Sequence, residues 1–541
     1  MLIKGYFCFM SSASISYSKT GYFSKTMIDY LKQDTSLGSF YGKFPTLEGM
    51  KDQLEEKQKH FSQKGRSVLV SQLEKQYQGI NITQATQDNI KALSKSSVFT
   101  ITTGHQLNLF TGPMYYVYKI LSVINLTEQL TKKYPENSFV PLFWMATEDH
   151  DFEEINGFNF KGKKIKWDTT QSGPVGRFST KAVQELVGVL KTEFGHTSNG
   201  MYLLDLFQTA YTQHDTLAQA TRYITNVLFG SYGIVVLDGD DHEFKKQFTS
   251  YTQQELFAKK GYKEITKTTQ RLVSAGYSQQ VHPREINLFY IKDGIRERIV
   301  EKDGMFLINN TPLVFSKTQM QDQVSNYPQR FSPNALLRPL YQEVILPNIC
   351  YVGGGAELSY WFQLKDYFES VGVVFPVLLL RNSAIICNSK LNQRLKKLDV
   401  SIQDIFKKDT ALRTWFVHRV SNISIDFSSQ KKFLEKQFEQ LYAIAEKTDA
   451  SFLGAVAAQQ KKQNNGLKHL EKRLLKAQKR KHKDQLTRLI SLRSEMFPDG
   501  NLQERITNFS EFYLEHGIGL IPVIKKNLKP LEGKFLVIYL Q

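Results

Sequence analysis

Ser97-Val98-Phe99-Thr100-Ile101-Thr102-Thr103-Gly104-His105-Gln106-Leu107-Asn108-Leu109-Phe110-Thr111-Gly112-Pro113 carries the pattern that decides the fold. Its first six residues form a β-branched and aromatic run, the texture of a buried strand. Thr103-Gly104 ends the run, and a helical pattern follows Pro113. Strand, polar loop and helix are thus expected in that order. Four more runs read as buried strands: 139–146, 233–238, 349–352 and 373–380. Helical segments lie between them, 180–190 and 199–228 among others. Strands alternating with helices predict an α/β domain with a mostly parallel sheet.

Outward from that core, 1–95 reads as an N-terminal helical layer, with helical spacing of Met27, Tyr30, Leu31 and of Val68, Val70, Leu73. The core itself spans 96–390. Two insertions are expected in it: a β-hairpin near 157–180, and a subdomain near 251–332 with strand-like pieces at 287–291 and 304–308. Residues 391–496 read as a helical arm. Leu434, Phe438, Leu441 and Ala445 step 4-3-4, and Leu467, Leu470, Leu474 and Ala477 step 3-4-3, both coiled-coil spacings. After a cap at Thr448-Asp449, one helix is expected to run to about Met496, roughly 70 Å. Asn464-Asn465-Gly466 weakens it and Lys481 interrupts the seam. Phe497-Pro498-Asp499-Gly500 ends the arm, and 501–541 folds back on the core.

At 541 residues the chain exceeds one ordinary core. Its 70 Lys and Arg against 52 Asp and Glu give +18, which raises nucleic acid or another polyanion as a partner. Between Ala458 and Arg488, however, eleven basic residues face only Glu471 and Asp484, a local +9. That stretch has no Phe, Tyr or Trp to stack bases, so a nucleic-acid partner is not expected. The longest apolar run, 371–380, is broken by Gly372 and Pro376 and is too short to span a membrane. Residues 1–10 lack the long apolar segment of a signal peptide, and Met1 and Met10 both remain candidate starts. Cys8, Cys350 and Cys387 form no Cys-x-x-Cys pair, which fits a reducing, cytoplasmic protein.

Four strand ends carry chemistry. In the first, Thr103, Gly104, His105, Gln106, Asn108, Thr111 and Gly112 crowd a strand-to-helix loop where open α/β folds bind ligands, with Lys119 on the helix behind. Exposed N–H groups there favour an anion, and His105 can donate to one or exchange a proton. The second, Glu148-Asp149-His150-Asp151, brackets a histidine with acids that can orient it. No second His/Cys cluster completes a zinc site, so no metal is expected. The third is Asp238-Gly239-Asp240-Asp241-His242. The fourth joins 332–343, with Asn334 and Arg338, to Gly353-Gly354-Gly355-Ala356-Glu357. Three glycines let a ligand lie against the backbone, Glu357 can bind a hydroxyl or an amine, and Arg338 can grip a carboxylate. Arg381-Asn382-Ser383 follows the last strand and adds a cation, with Ser383 beside it.

With these motifs in order, the chain resembles the BshC family, the cysteine-adding enzymes of bacillithiol biosynthesis. The resemblance covers essentially the whole chain and rests most on 103–113, Glu148-Asp149-His150-Asp151-Phe152, 334–343 and Gly500-Asn501-Leu502-Gln503-Glu504-Arg505. It implies a Rossmann-like core with connective insertions and a C-terminal coiled coil that forms a homodimer. It also implies the last step of bacillithiol synthesis, in which L-cysteine is joined as an amide to glucosaminyl malate. A fainter resemblance is to class I aminoacyl-tRNA synthetases, with Gly104-His105 in place of their histidine loop and Gly353 to Leu358 in place of their Gly-Gly-x-Asp-Leu. No Lys-Met-Ser-Lys-Ser loop follows the last strand, and the zinc cysteines of cysteine-specific synthetases are absent.

The leading expectation is a ligase that activates the cysteine carboxyl, with ATP or another nucleotide as the suspected source of the leaving group. His105, Lys119 and Arg381 would stabilise phosphate charge, and Asp149, His150 or Asp151 would deprotonate the attacking amine. The alternative is a synthetase-like tRNA-binding protein or another amino-acid-activating protein.

Overall fold

A computed structural model of the chain describes residues 12–540. The choice between Met1 and Met10, and Cys8, lie outside the described residues. The chain divides into two compact units. Among the described residues, one comprises 12–18, Tyr22–Ile386 and Asn501–Ile538, and the other Lys19–Gly21, Cys387–Gly500 and 539–540.

The first unit is built on five strands: β1 (Val98–His105), β2 (Ser138–Met145), β3 (Val235–Asp238), β4 (Asn348–Gly353) and β5 (Val377–Leu380). They pair in the order β5-β4-β1-β2-β3. Every pairing is parallel. This is the Rossmann arrangement, with the strand order reversing between β1 and β4. The β-branched runs expected as strands are its strands, buried on both faces as parallel sheets require. Phe99, Ile101, Phe139, Ile349, Val352 and Val377 join Val123 and Leu126 of helix α1 (Tyr115–Lys133) in one core. Each such side chain contributes about 1.5–3 kcal/mol of burial. Two shorter helices flank β4: α2 (Arg338–Ile345) before it and α3 (Gly355–Trp361) after it.

The N-terminal helices 25–92 belong to this unit rather than forming a body of their own. The segment expected to be helical across 199–228 is two helices, Ser198–Thr212 and Leu217–Phe229. They are separated where Thr216 and Gln219 form a capping box. The hairpin is shorter than expected, pairing Gly157–Phe160 with Lys163–Lys166. The larger insertion carries a five-stranded antiparallel sheet. Its longest strand, Ile295–Lys302, was not expected, because Arg296, Glu297, Arg298 and Glu301 give it the composition of a solvated loop.

In the second unit, α4 (Ser428–Ala445) packs on α5 (Ala450–Lys481), which Asp449 caps. Their common core is Leu434, Phe438, Ala445 and Val456, with Tyr442 and Leu467 against it. Leu441 and Leu470, which the spacing places in the coiled-coil seam, are 41% and 53% exposed within this one chain. The long helix also ends earlier than expected. His482 breaks it before α6 (Lys483–Met496), so α5 is 32 residues, about 48 Å. Asn464-Asn465-Gly466 does not interrupt it. Among the described residues, no helix is long and apolar enough to cross a membrane.

Candidate active site

His105 is the last residue of β1, and the loop after it takes an unusual path. Phe110 (φ 44°), Thr111 (φ 69°) and Gly112 (φ 64°) are consecutive residues in the left-handed region. Only glycine adopts that region at little cost, so two of the three are strained. At Gly112 a Cβ would stand 2.5 Å from the Asn108 Cβ, so the turn admits glycine alone. The path is held from outside. Asn508 Nδ2 donates to the carbonyls of Phe110 (2.9 Å) and Gly112 (2.6 Å), and Tyr211 accepts the Phe110 N–H at 2.8 Å. Asn108 Oδ1, Thr111 Oγ1 and Gln106 Oε1 are buried there without a hydrogen-bond partner among the described residues.

His105 itself is buried. Its Nδ1 accepts the Gln106 N–H at 2.8 Å, so the ring proton of the neutral form is on Nε2, a buried donor with no partner. Burial, with Lys119 and Arg381 nearby, holds its pKa well below the usual histidine value. His105 is therefore a neutral donor in this state rather than a cation.

Around it lies the crevice where the strand order reverses. Thr103 Oγ1 is spent on tying β1 to the Val352 carbonyl of β4 at 2.7 Å. Lys119 reaches the Gly104 carbonyl and the Glu357 carboxylate, both at 2.6 Å. Glu357 also accepts from the Tyr351 hydroxyl (2.7 Å) and the Gly354 N–H (3.2 Å). Burial alone would raise the Glu357 pKa, but Lys119 and these donors outweigh it and keep the carboxylate ionised. Arg381 makes a buried ion pair with Glu504 at 2.8 Å and bonds Ser383 at 3.1 Å. Arg338 bonds the neutral Gln342 (3.0 Å) and interacts with the Tyr360 hydroxyl. Three cations thus face two carboxylates, and Arg338 is the one without an ion-pair partner among the described residues. Besides His105 Nε2, Arg338 Nη2 and Arg381 Nε are buried donors here without a hydrogen-bond partner among the described residues.

The glycines divide by purpose. A Cβ on Gly104 would stand 3.4 Å from the Tyr351 hydroxyl and 3.9 Å from Arg338 Nη1, and one on Gly354 would stand 3.2 Å from Glu357 Oε1. Both keep the crevice clear. Gly355 instead makes room for Met27, and Gly353 for Tyr351 and Leu358, which is packing. Asn334 spends its oxygen on the N–H groups of Leu336 and Leu337 and its amide on Asn287, so its polar atoms are used within the fold.

A second cluster adjoins the first through Gln106, whose side chain bonds Asp149. Asp149 also accepts from the His150 N–H at 2.8 Å, with Arg296 3.6 Å away. Burial would raise its pKa, yet His150, Gln106 and Arg296 together hold it well below the carboxylate range. Arg296 Nη1 lies 2.6 Å from His150 Nδ1. A guanidinium only donates, so Nδ1 is the acceptor and the ring proton sits on Nε2. Glu148 is buried against Lys245. Asp151 accepts no hydrogen bond from the short helix Phe152–Ile155 that it precedes. The acids after β3 are engaged among themselves and their neighbours: Asp238 accepts from Thr147, Asp241 caps a helix, and Asp240 is paired with Arg177 at 2.7 Å. Among the described residues, no group of three His, Cys, Asp or Glu could hold a metal ion.

Arg296, Lys245, Tyr351, Tyr360 and Glu504 were given no role in the site from sequence. Arg296 is fixed by a 4.0 Å stack on Phe289 and bonds to Ser332 (3.3 Å) and the Pro333 carbonyl (3.4 Å). Replacing it with methionine is expected to free His150 Nδ1 and release Asp149 from a cation. The pKa of Asp149 should then rise toward the ordinary carboxylate value, which carboxylate NMR titration of the variant would show.

Two family models match the chain. The N-terminal Rossmann-like domain of bacillithiol biosynthesis BshC covers residues 10–382, and its C-terminal coiled-coil domain covers 384–540. A Flavobacterium johnsoniae protein provisionally named cysteine ligase BshC is 49% identical over 98% of this chain and 100% of its own. Relatives of the same name from Christiangramia forsetii (49%, 98% of this chain and 99% of the relative) and Flavobacterium psychrophilum (50%, 98% and 99%) are similar over the same extent. Matched by both domain models and by full-length relatives, the chain belongs to the BshC family of bacillithiol biosynthesis.

Proposed function

We propose that this protein is a cysteine ligase that joins L-cysteine, as an amide, to the amine of glucosaminyl malate, completing bacillithiol. The observation that carries this reading is the set of buried, unpartnered donors at the switch point: His105 Nε2, Arg338 Nη2 and Arg381 Nε. Donors fixed in a low-dielectric crevice favour an anionic group there far more than they would in water. The site therefore suits a carboxylate or phosphate, the groups that carboxyl activation brings together. The excess cation, Arg338, supports the same assignment.

The same donors fit a nucleotide phosphate, and Gly104 and Gly354 leave room for it against the backbone. A nucleotide would supply the leaving group that an unactivated carboxylate lacks. The protein's own part is to hold the carboxyl with His105 and Arg338 and to present Glu357 to an ammonium or hydroxyl. Asp149 is kept ionised by its donors, and His150 Nε2 already carries a proton, so both orient rather than take a proton. Asp151, free of a capping bond, is the group we assign as base for the attacking amine.

We further propose that two copies pair through α4 and α5, where Phe433 (68% exposed) and Ile444 (55%) remain uncovered. We place the reaction in the cytoplasm, with Cys350 and Cys387 as buried free thiols.

Purified protein given cysteine, glucosaminyl malate and a nucleoside triphosphate should form bacillithiol, detected by mass spectrometry. No product with any of the four common nucleoside triphosphates would sink the proposal.

A further inference from the structure

Next to the Asp149–His150–Arg296 cluster lies a cavity of about 490 Å³, a size typical of small-molecule sites. One wall comes from the segment after β2, with His150, Phe152, Gln171 and Phe178. The other comes from the antiparallel insertion, with Ile295, Arg296, Glu297 and Asn310. The two walls meet closely at Gly173 and Gly294. A Cβ on Gly173 would stand 2.8 Å from the Gly294 carbonyl carbon, so the junction requires glycine there.

The polar groups of this cavity are of unequal availability. Arg296 is spent on His150 and Ser332, and Gln171 on the Ser179 backbone. Glu297 is not spent. It takes one hydrogen bond, from Asn310 Nδ2 at 3.1 Å, and has no ion-pair partner among the described residues. His150 contributes the Nε2–H donor left by the contact of Arg296 with Nδ1. Phe152 and Phe178, 5.5 Å apart, supply apolar ring faces. Aromatic faces beside a carboxylate, an amide and an imidazole donor suit a hydroxylated ring. Its C–H face packs on the phenyl groups while its hydroxyl or amino groups bond the polar ones.

We propose that this cavity holds the amino-sugar ring of the acceptor substrate, with Glu297 accepting a hydrogen bond from a ring hydroxyl or from the amino group. The inference rests on the ligase reading above and adds the place and residues for one of its substrates. It puts the sugar beside Asp149, His150 and Asp151 and leaves the crevice at His105 and Arg338 for the carboxyl of cysteine. The antiparallel insertion thereby selects the acceptor.

Glu297→Gln keeps the shape and removes the charge. It is expected to raise KM for glucosaminyl malate about tenfold to a hundredfold, the weight of a hydrogen bond to a charged group, with KM for cysteine unchanged. An active variant with an unchanged acceptor KM would overturn the cavity assignment and leave the ligase reading standing. A wild-type protein that forms no product removes the ligase reading. The cavity is then judged by saturation-transfer NMR with methyl α-glucosaminide. Transfer to its ring protons that is lost in Glu297→Gln supports the site, and transfer that is absent from wild type or equal in both proteins overturns it.

Discussion

Replacing Glu504 with alanine is expected to destabilise the unit that holds the sheet by about 3–5 kcal/mol, because it strands a buried guanidinium. Glu504 is fully buried, accepts from Arg381 Nη2 at 2.8 Å, and takes the Ala384 N–H at 2.9 Å. Removing it leaves both donors without an acceptor in a place where water cannot substitute. The double variant Glu504→Leu with Arg381→Met should lose less than Glu504→Ala alone, since no charge is left behind. Denaturant unfolding monitored on the sheet unit measures this. A single-variant loss below about 0.5 kcal/mol, the level of an ordinary surface substitution, would contradict the buried pair.

The second large effect is expected at His105. His105→Ala should lower kcat for product formation about 100- to 1,000-fold, the usual cost of removing one preorganised donor. His105→Gln, whose amide can donate in a similar place, should recover part of it. Full activity in the alanine variant would remove His105 from the site. The same residue predicts a pH effect on stability. Its folded pKa is depressed well below the unfolded value of about 6.5, so the unfolded chain binds the extra proton between the two. Stability should therefore fall as pH drops below about 6.5, by up to about 1.4 kcal/mol per pH unit from this group. His105→Gln should flatten that slope in thermal melts between pH 7 and 5.

The parallel sheet was legible in the sequence because its strands are buried on both faces, so apolar runs mark them without help from distant residues. The strand ends were legible for the same reason: polar groups and glycines stand out beside such runs. The long-range polar partners were not. Glu504 is 123 residues from Arg381, and His150 is 146 from Arg296, so no local pattern links them. Cations that looked available for a phosphate, Lys119 and Arg381, are each matched by a carboxylate. That leaves Arg338, which looked like one residue among several, as the unmatched charge. The strand Ile295–Lys302 hid behind its charges because its first three residues line a cavity, where polar residues do not mean bulk solvent. In the arm, the heptad steps located Leu434, Phe438 and Ala445 of the packed face, while Leu441 and Leu470 of the same steps stay exposed within one chain.

The clamp on 110–112 has a consequence for the order in which the protein is made. A ribosome that has translated through residue 480 has already delivered all five strands, His105, Lys119, Arg338 and Arg381. It has delivered neither Glu504 nor Asn508, which neutralise Arg381 and hold the left-handed turn. The nascent sheet must therefore wait, with an unmatched arginine and an unsupported loop, while the whole helical arm is synthesised. A chain truncated before Glu504 is therefore expected to hold neither Arg381 nor the 110–112 turn as the full-length protein does.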